Sequence, residues 1–206
     1  MIIRNPREQQ FPWLQSYVTS DFVEPSEPRM IEVYSDKIVV VDMIDQEIGQ
    51  ADAMITKKKN ITLQARSCDC GNLYYYDPMQ WVIAVCHASW HNTKKNIVWK
   101  VVKNMESLWS DPHNIYVWTG PCISVKNYQF WPEVKELFED KYYELRWQYY
   151  YLDLPLLHRD QLLWAWILAE HIIQSDICTF DTPELPSYRR QWPDSGRITW
   201  SIMQIA

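Results

Sequence analysis

The sequence has 206 residues, enough for one domain that buries roughly 70% of the surface its unfolded chain exposes. Hydrophobic residues make up 47% and charged residues 22%, which excludes a disordered or collagen-like chain. The formal net charge of -6 argues against nucleic acid or an anionic membrane as the main partner. Glycine is scarce, with 4 residues where average usage would give about 14.

The cysteines indicate a reducing environment. The chain has 5, an odd number, and its first residues contain no apolar stretch of the kind that precedes a secretory cleavage site. No apolar run approaches the ~20 residues that cross a bilayer. We therefore expect reduced thiols, a cytoplasmic location and no membrane partner.

Proline positions and hydrophobic spacing predict the elements in chain order. Residues 1–30 carry four of the 12 prolines and little periodicity, which predicts an irregular lead-in before a single domain over residues 31–206. Short apolar or β-branched runs predict strands at 38–41, 61–65, 73–76, 81–86, 115–118 and 198–205. Helical spacing predicts helices from 92 or 93 to 109, over 132–140 and over 156–174. Strands that alternate with helices predict an α/β sandwich, with a mixed sheet flanked by helices.

The residues best suited to chemistry lie around two neighbouring strands. Cys68 and Cys70 are two positions apart, so they can point the same way, whereas the adjacent Cys86 and His87 must point oppositely. Thiolates and imidazoles are zinc ligands, and a catalytic zinc keeps three protein ligands and one open position. His91 lies near the predicted helix start and can approach from the same end. Buried structural cysteines remain the alternative, because free cysteine is among the most buried residue types.

Several motifs in a fixed order resemble those of one family. Between residues 51 and 190 the chain carries, in order, ADAMIT, SCDCGNLYYYDP, IAVCHASWHNT, TGPCIS, YLDLPLLHRDQLL, ICTF and SYRR. Together they resemble the laccase-domain or YfiH-like family, also called multicopper polyphenol oxidase-like or purine nucleoside phosphorylase-like, and the chain is identified as a divergent member. The resemblance implies a single α/β sandwich with a pocket for one metal ion.

The resemblance implies that this metal is zinc rather than copper, held by Cys70 and His87. Tyr34 stands where the family has its first histidine ligand. A phenol with a pKa of about 10 has to lose its proton before it binds zinc. His91 is therefore the preferred third ligand, and Tyr34 is the alternative. A multicopper oxidase would need more imidazoles than the 5 histidines supply.

The resemblance also assigns two sets of residues around the pocket. The catalytic set is Cys70, His87 and Arg189, and the substrate-binding set is Asp69, Tyr188 and Arg190. A guanidinium beside the pocket suits a phosphate group. An ordinary structural ion pair for one arginine, and a solvated turn position for Asp69, remain the alternatives.

The function that the resemblance implies is zinc-dependent phosphorolysis of adenosine or inosine, with adenosine deamination as a second activity. The partners expected are then a purine nucleoside and phosphate, with the oligomeric state left open. One alternative is a catalytically impaired homologue that serves as a binding or structural module. The other is a hydrolase of the same family that edits peptidoglycan precursors.

Overall fold

The computed structural model describes residues 1–21 and 28–205, which form three layers: a four-stranded sheet, a six-stranded sheet and helices. The strands are β1 (Ile2–Arg4), β2 (Leu14–Thr19), β3 (Met30–Ile31), β4 (Ile38–Val40), β5 (Gly49–Gln50), β6 (Ala53–Thr56), β7 (Leu63–Ser67), β8 (Gly71–Asp77), β9 (Val82–Ala88), β10 (Tyr116–Thr119), β11 (Gln129–Phe130), β12 (Tyr143–Arg146), β13 (Tyr149–Leu152), β14 (Ile172–Gln174) and β15 (Ile198–Gln204). The α-helices are α1 (Trp90–Thr93), α2 (Ile97–Glu106), α3 (Pro132–Lys135), α4 (Leu154–Trp164) and α5 (Tyr188–Gln191).

The two main sheets pack face to face. Their strand orders are β1-β2-β15-β7 and β14-β10-β8-β9-β6-β4, and smaller sheets join β11-β13-β12 and β3-β5. In the six-stranded sheet the outer pairs, β10 with β14 and β4 with β6, are parallel, whereas the inner pairs are antiparallel. This mixed sheet, with helices on its second face, confirms the predicted fold class.

Alternating side chains of the six-stranded sheet build two cores. Tyr74 and Tyr76 point to the four-stranded sheet, where they share a core with Trp200 of β15. Leu73 and Tyr75 point the other way, into a core with α2 and α4. Because successive residues of a strand face opposite sides, β8 and β9 are buried on both faces. A strand that is buried on both faces needs apolar residues at successive positions, which explains the continuous apolar run predicted as a strand at 81–86.

The helices are shorter than the apolar spacing predicts. The helix expected to reach residue 109 is divided into α1 and α2, because Asn96 adopts a left-handed φ of 61°. The helix expected over 156–174 ends with α4, since Trp166 has a φ of 69° and the last three residues of that range form β14 beside β10. The helix expected over 132–140 is only the four residues of α3.

The prediction of an irregular lead-in is wrong for the part that the structure describes. β1 and β2 pair with each other, and β2 also pairs over six residues with β15. Pro6 and Pro12 lie in the connection between these strands, so they interrupt neither ladder. Residues 22–27 of the lead-in lie outside the described residues.

Within the described ranges no helix has the length and apolar character needed to cross a bilayer, and the longest, α4, has 11 residues.

Candidate functional site

Strand register brings the chemistry-bearing residues together at one end of the inner strands β6, β8 and β9 of the six-stranded sheet. β8 begins just after Cys70 and pairs with the end of β9, so that Asn72 lies opposite His87. β6 begins just after Asp52, and there the His87 N–H donates to the Asp52 carbonyl at 2.8 Å. Cys86 faces the core on the helix side instead, as expected for the neighbour of His87 in a strand.

A buried hydrogen bond of 2.8 Å joins His87 Nδ1 to Asp52 Oδ1. Burial opposes the charge of both side chains, but their hydrogen bonds outweigh it. Those from His87 and Ser35 lower the pKa of Asp52. Those with Asp52 and Cys70 raise the pKa of His87 to about 10. The two side chains therefore form an ion pair at neutral pH, and His87 also contacts the Cys70 thiol.

Asp52 also shapes the segment that carries Tyr34. Its carboxylate accepts hydrogen bonds from the three backbone N–H groups of residues 33–35, at 3.3, 3.2 and 2.6 Å. This turn holds Tyr34 at a left-handed φ of 58°. The Tyr34 ring centroid then lies 5.6 Å from that of His87 and 5.2 Å from that of His91. One buried carboxylate thus positions both an imidazole and a phenol.

These residues line a cavity of about 460 Å³. Its aromatic walls are Tyr34, Trp90, Tyr128, Phe130, Trp131 and Tyr188. Of the residues predicted from the sequence, the cavity brings together Tyr34, Asp69, Cys70, His87, His91, Tyr188 and Arg189. Arg190 is not among its lining residues.

Asp69 is buried and acts as an organiser of the cavity wall. Its carboxylate accepts hydrogen bonds from the Thr179 hydroxyl at 2.5 Å, the Ser187 hydroxyl at 3.0 Å and the Arg189 N–H at 2.7 Å. These contacts fix the start of α5 against the loop before β8. The carboxylate is therefore engaged with protein groups, and neither the solvated turn position nor a free substrate contact describes it.

The two neighbouring arginines have different surroundings. The Arg189 guanidinium faces the Tyr128 ring at 5.6 Å and donates to the Gln129 carbonyl at 2.9 Å, within the cavity. Arg190 donates instead to the carbonyls of Thr179, Phe180 and Leu185. Backbone carbonyls thus hold the Arg190 guanidinium outside the cavity that contains the other predicted substrate-binding residues.

The described residues do not fit the three-ligand zinc centre that the resemblance implies. Within residues 1–21 and 28–205, no group of three or more His, Cys, Asp or Glu side chains is placed to hold a metal ion. Cys70 and His87 contact each other, but the His91 ring is stacked on Trp90, with centroids 3.6 Å apart. Burial, and then the neighbouring Cys70, raise the pKa of Tyr34, so its phenol keeps its proton at neutral pH. The expected set of Cys70, His87, His91 and Tyr34 is therefore not assembled as metal ligands.

Sequence reasoning missed several residues of this site, above all Asp52. Its signal is present in the ADAMIT motif, where a carboxylate directly precedes a strand whose residues are all buried. Glu32, Arg66 and Arg197 also line the cavity. They lie far apart in the sequence, so no spacing pattern could predict that they line the same cavity.

Comparison with known proteins gives the same family over most of the chain. The family model described as "Multi-copper polyphenol oxidoreductase laccase" matches residues 22–205. The chain is 32% identical over 159 residues to "Purine nucleoside phosphorylase YlmD" of Bacillus subtilis, which covers 71% of this chain and 56% of that protein. It is 31% identical over 169 residues to "Purine nucleoside phosphorylase" of Aquifex aeolicus, covering 82% and 79%. This chain therefore spans little more than half the length of the Bacillus subtilis relative.

Solved structures agree with the fold. The crystal structure of Bacillus licheniformis hypothetical protein YfiH superimposes with a TM-score of 0.86 at 21% identity, covering 98% of this chain and 96% of the other. The structure of YlmD from Geobacillus stearothermophilus gives a TM-score of 0.79 at 24% identity, covering 84% and 72%. By the match to its family model, the chain belongs to the multi-copper polyphenol oxidoreductase laccase family, also known as the YfiH-like family.

Proposed function

We propose that this chain catalyses the phosphorolysis of purine nucleosides such as adenosine and inosine. Relatives named purine nucleoside phosphorylase support this reaction class. The observation that carries the proposal is the cavity, which combines six aromatic rings with the His87–Asp52 pair and the Arg189 guanidinium. The five free cysteines support a reducing compartment, so we place the enzyme in the cytoplasm.

The reaction makes two demands on such a cavity. A phosphate oxygen attacks C1′ of the ribose, and the bond from C1′ to N9 breaks with its electron pair going to the base. The base takes up a proton, which gives ribose 1-phosphate and a free purine. A flat purine is bound well by aromatic faces, and a phosphate by guanidinium groups. We assign the purine to the rings of Tyr34 and Tyr188, and the phosphate to the guanidinium groups that line the cavity.

His87 is the residue we assign to the leaving base. Asp52 fixes the ring through Nδ1, so the other ring nitrogen is left for Cys70 and a bound substrate. Protonation of a leaving group by a positioned histidine contributes about 10²- to 10⁴-fold to a rate. No step is assigned to a zinc ion, because the described residues do not form its three-ligand set.

The test is the release of free base with and without phosphate. Inosine and adenosine are incubated with purified protein, and base, ribose 1-phosphate and inosine are separated by chromatography. We expect hypoxanthine and adenine to form only with phosphate, in amounts equal to ribose 1-phosphate. His87→Gln abolishes the release, and His113→Gln, at an exposed position outside the cavity, leaves it unchanged. No release, or release that does not depend on phosphate, contradicts the proposal.

A further inference from the structure

The main cavity shares a wall with a second, smaller cavity. The smaller one has a volume of about 160 Å³ and includes Glu32, Arg66 and Arg197, which also line the main cavity. We call these three residues the shared wall. Arg66 lies on β7 opposite Thr199 of β15, and Arg197 immediately precedes β15. Residues 197 and 199 are two apart, so both arginines lie on the same side of these paired strands.

The Arg66 side chain has no hydrogen-bond or ion-pair partner among the described residues. Its guanidinium makes no hydrogen bond and no ion pair with any residue that the structure describes, and its Nε is buried. By contrast, Arg190 donates to three carbonyls and Arg4 pairs with Glu8. A buried donor without an acceptor costs free energy, and a charged one costs more. Arg66 therefore offers unused donors to an acceptor beyond the described residues, such as a ligand bound in the cavity.

Arg197 adds a second guanidinium to the shared wall. Its Nη1 donates to the carbonyls of Ser195 and Gly196, at 3.3 and 3.0 Å. These contacts steady the side chain without neutralising its charge. The residue is exposed, so its remaining donors are accessible to a ligand that enters the cavity.

One carboxylate, that of Glu32, lies on the same wall, but it does not neutralise the positive charge of the two arginines. Glu32 Oε1 accepts the backbone N–H of Arg66 at 2.7 Å, which ties the carboxyl group to the strand rather than to a guanidinium. The Asp69 carboxylate nearby is engaged by Thr179, Ser187 and Arg189. The wall thus presents a positive charge, and the forked donors of arginine match phosphate oxygens.

We propose that Arg66 and Arg197 bind a phosphate group, at the junction of the two cavities. This inference rests on the proposed function, in which phosphate is a substrate, and it assigns the phosphate site to the shared wall rather than to the Arg189 side. Two sources supply the same chemistry: inorganic phosphate, and the 5′-phosphate of a purine nucleoside monophosphate.

Binding measurements test the proposal without using activity. Inorganic phosphate, adenosine and adenosine 5′-monophosphate are titrated by calorimetry into wild type, Arg66→Gln and Arg197→Gln. Arg159→Gln is the control, because Arg159 on α4 is similarly half-buried and lines neither cavity. We expect the dissociation constant of phosphate, or that of the monophosphate relative to adenosine, to rise at least tenfold in both cavity variants and not in the control. Whichever ligand shows this rise identifies the source.

Two results overturn the proposal: wild type binds neither phosphate compound, or Arg66→Gln and Arg197→Gln bind both as wild type does. Thermal unfolding of each variant separates lost binding from lost folding, and the exposed Arg197 gives a variant with little effect on packing. Phosphate binding that depends on both arginines, without base release from nucleosides, contradicts only the proposed function. Phosphate-dependent base release with unchanged phosphate affinity in both variants contradicts only the assignment of the shared wall.

Discussion

At the scale of single residues, Asp52 connects the parts of the candidate site. Its carboxylate forms hydrogen bonds with the His87 imidazole and with the three backbone N–H groups of the turn that holds Tyr34. We expect Asp52→Asn to lower kcat/KM for inosine about 10- to 100-fold, because a hydrogen bond to a charged group contributes about 1.5–3 kcal/mol. Steady-state kinetics on Asp52→Asn and on the exposed Asp45→Asn check this. Equal kcat/KM values for the two variants would contradict the role of Asp52.

Arg189 and Arg190 are adjacent, and the structure places their guanidinium groups in different surroundings. We expect Arg190→Gln to lower Tm by roughly 4–8 °C, since it loses bonds to three carbonyls worth about 2 kcal/mol. Arg189→Gln changes Tm little and lowers kcat/KM, because its guanidinium lies in the cavity. Calorimetry and kinetics on both variants make each the control for the other. A large fall in Tm for Arg189→Gln together with a fall in kcat/KM only for Arg190→Gln would contradict these two assignments.

The sequence alone could predict many cavity residues but not their tasks. Cys70 and His87 were predictable because each lies at the end of a strand in a recognisable motif. Asp52 was missed because its backbone hydrogen-bond donors lie in the segment before β4, where no sequence pattern predicts a turn. Arg190 was misplaced because adjacent residues at the start of a short helix point in different directions. These differences are set by tertiary contacts, which local spacing does not encode.

At the scale of elements, the scarcity of glycine has a structural counterpart. Left-handed φ angles occur at eight described residues other than glycine, four of which are Trp81, Trp109, Trp147 and Trp166. Sequence patterns could not predict these turns, because a tryptophan gives no turn signal. The predicted helix at 156–174 was too long for this reason, and the one at 92–109 is divided at the left-handed Asn96 instead. The strand predictions at the centre of the sheet were confirmed.

The hairpin between β12 and β13 offers a direct test of this strain. Trp147 has a φ of 58° and is 97% exposed, so its side chain contributes no packing. A left-handed residue with a side chain costs about 1–2 kcal/mol, and glycine gives back about 0.5–1 kcal/mol through its unfolded-state entropy. We therefore expect Trp147→Gly to raise Tm by a few degrees in a calorimetric scan. The matched control is Trp131→Gly, at an exposed tryptophan with a φ of -75°, which should lower Tm or leave it unchanged. A fall in Tm for both variants would contradict the strain.

At the scale of the whole molecule, the layered fold was predicted more accurately from the family resemblance than the individual helices were from apolar spacing. Seven motifs in order imply a known architecture even where a helix boundary is wrong. The N-terminal strands were not predictable in this way, because β2 pairs with β15 from the other end of the chain and β1 pairs with β2. Such pairing over almost the full length has no local sequence signal.

Stability in acid depends on His158, a buried residue of α4 whose ring lies against Gly71 at the start of β8. Burial lowers its pKa from 6.5 to about 3, so below pH 6.5 the unfolded chain binds a proton that the folded chain does not. Stability contributed by neutral His158 is therefore present above pH 6.5 and lost as the pH falls, by roughly 1.4 kcal/mol per pH unit. We expect urea unfolding at pH 7 and pH 5 to show a loss about 2 kcal/mol larger for wild type than for His158→Gln. The exposed His113→Gln should behave as wild type does, and an equal loss in all three proteins would contradict this account.

Phosphorolysis in the aromatic and basic cavity converts inorganic phosphate into ribose 1-phosphate, and both compounds carry phosphorus that NMR detects. Phosphorus NMR of a mixture of inosine, phosphate and purified protein follows the inorganic phosphate and ribose 1-phosphate signals together. We expect the ribose 1-phosphate signal to grow as the phosphate signal declines, and Asp52→Asn to slow both changes. A spectrum in which phosphate stays constant while wild-type protein is folded would contradict it.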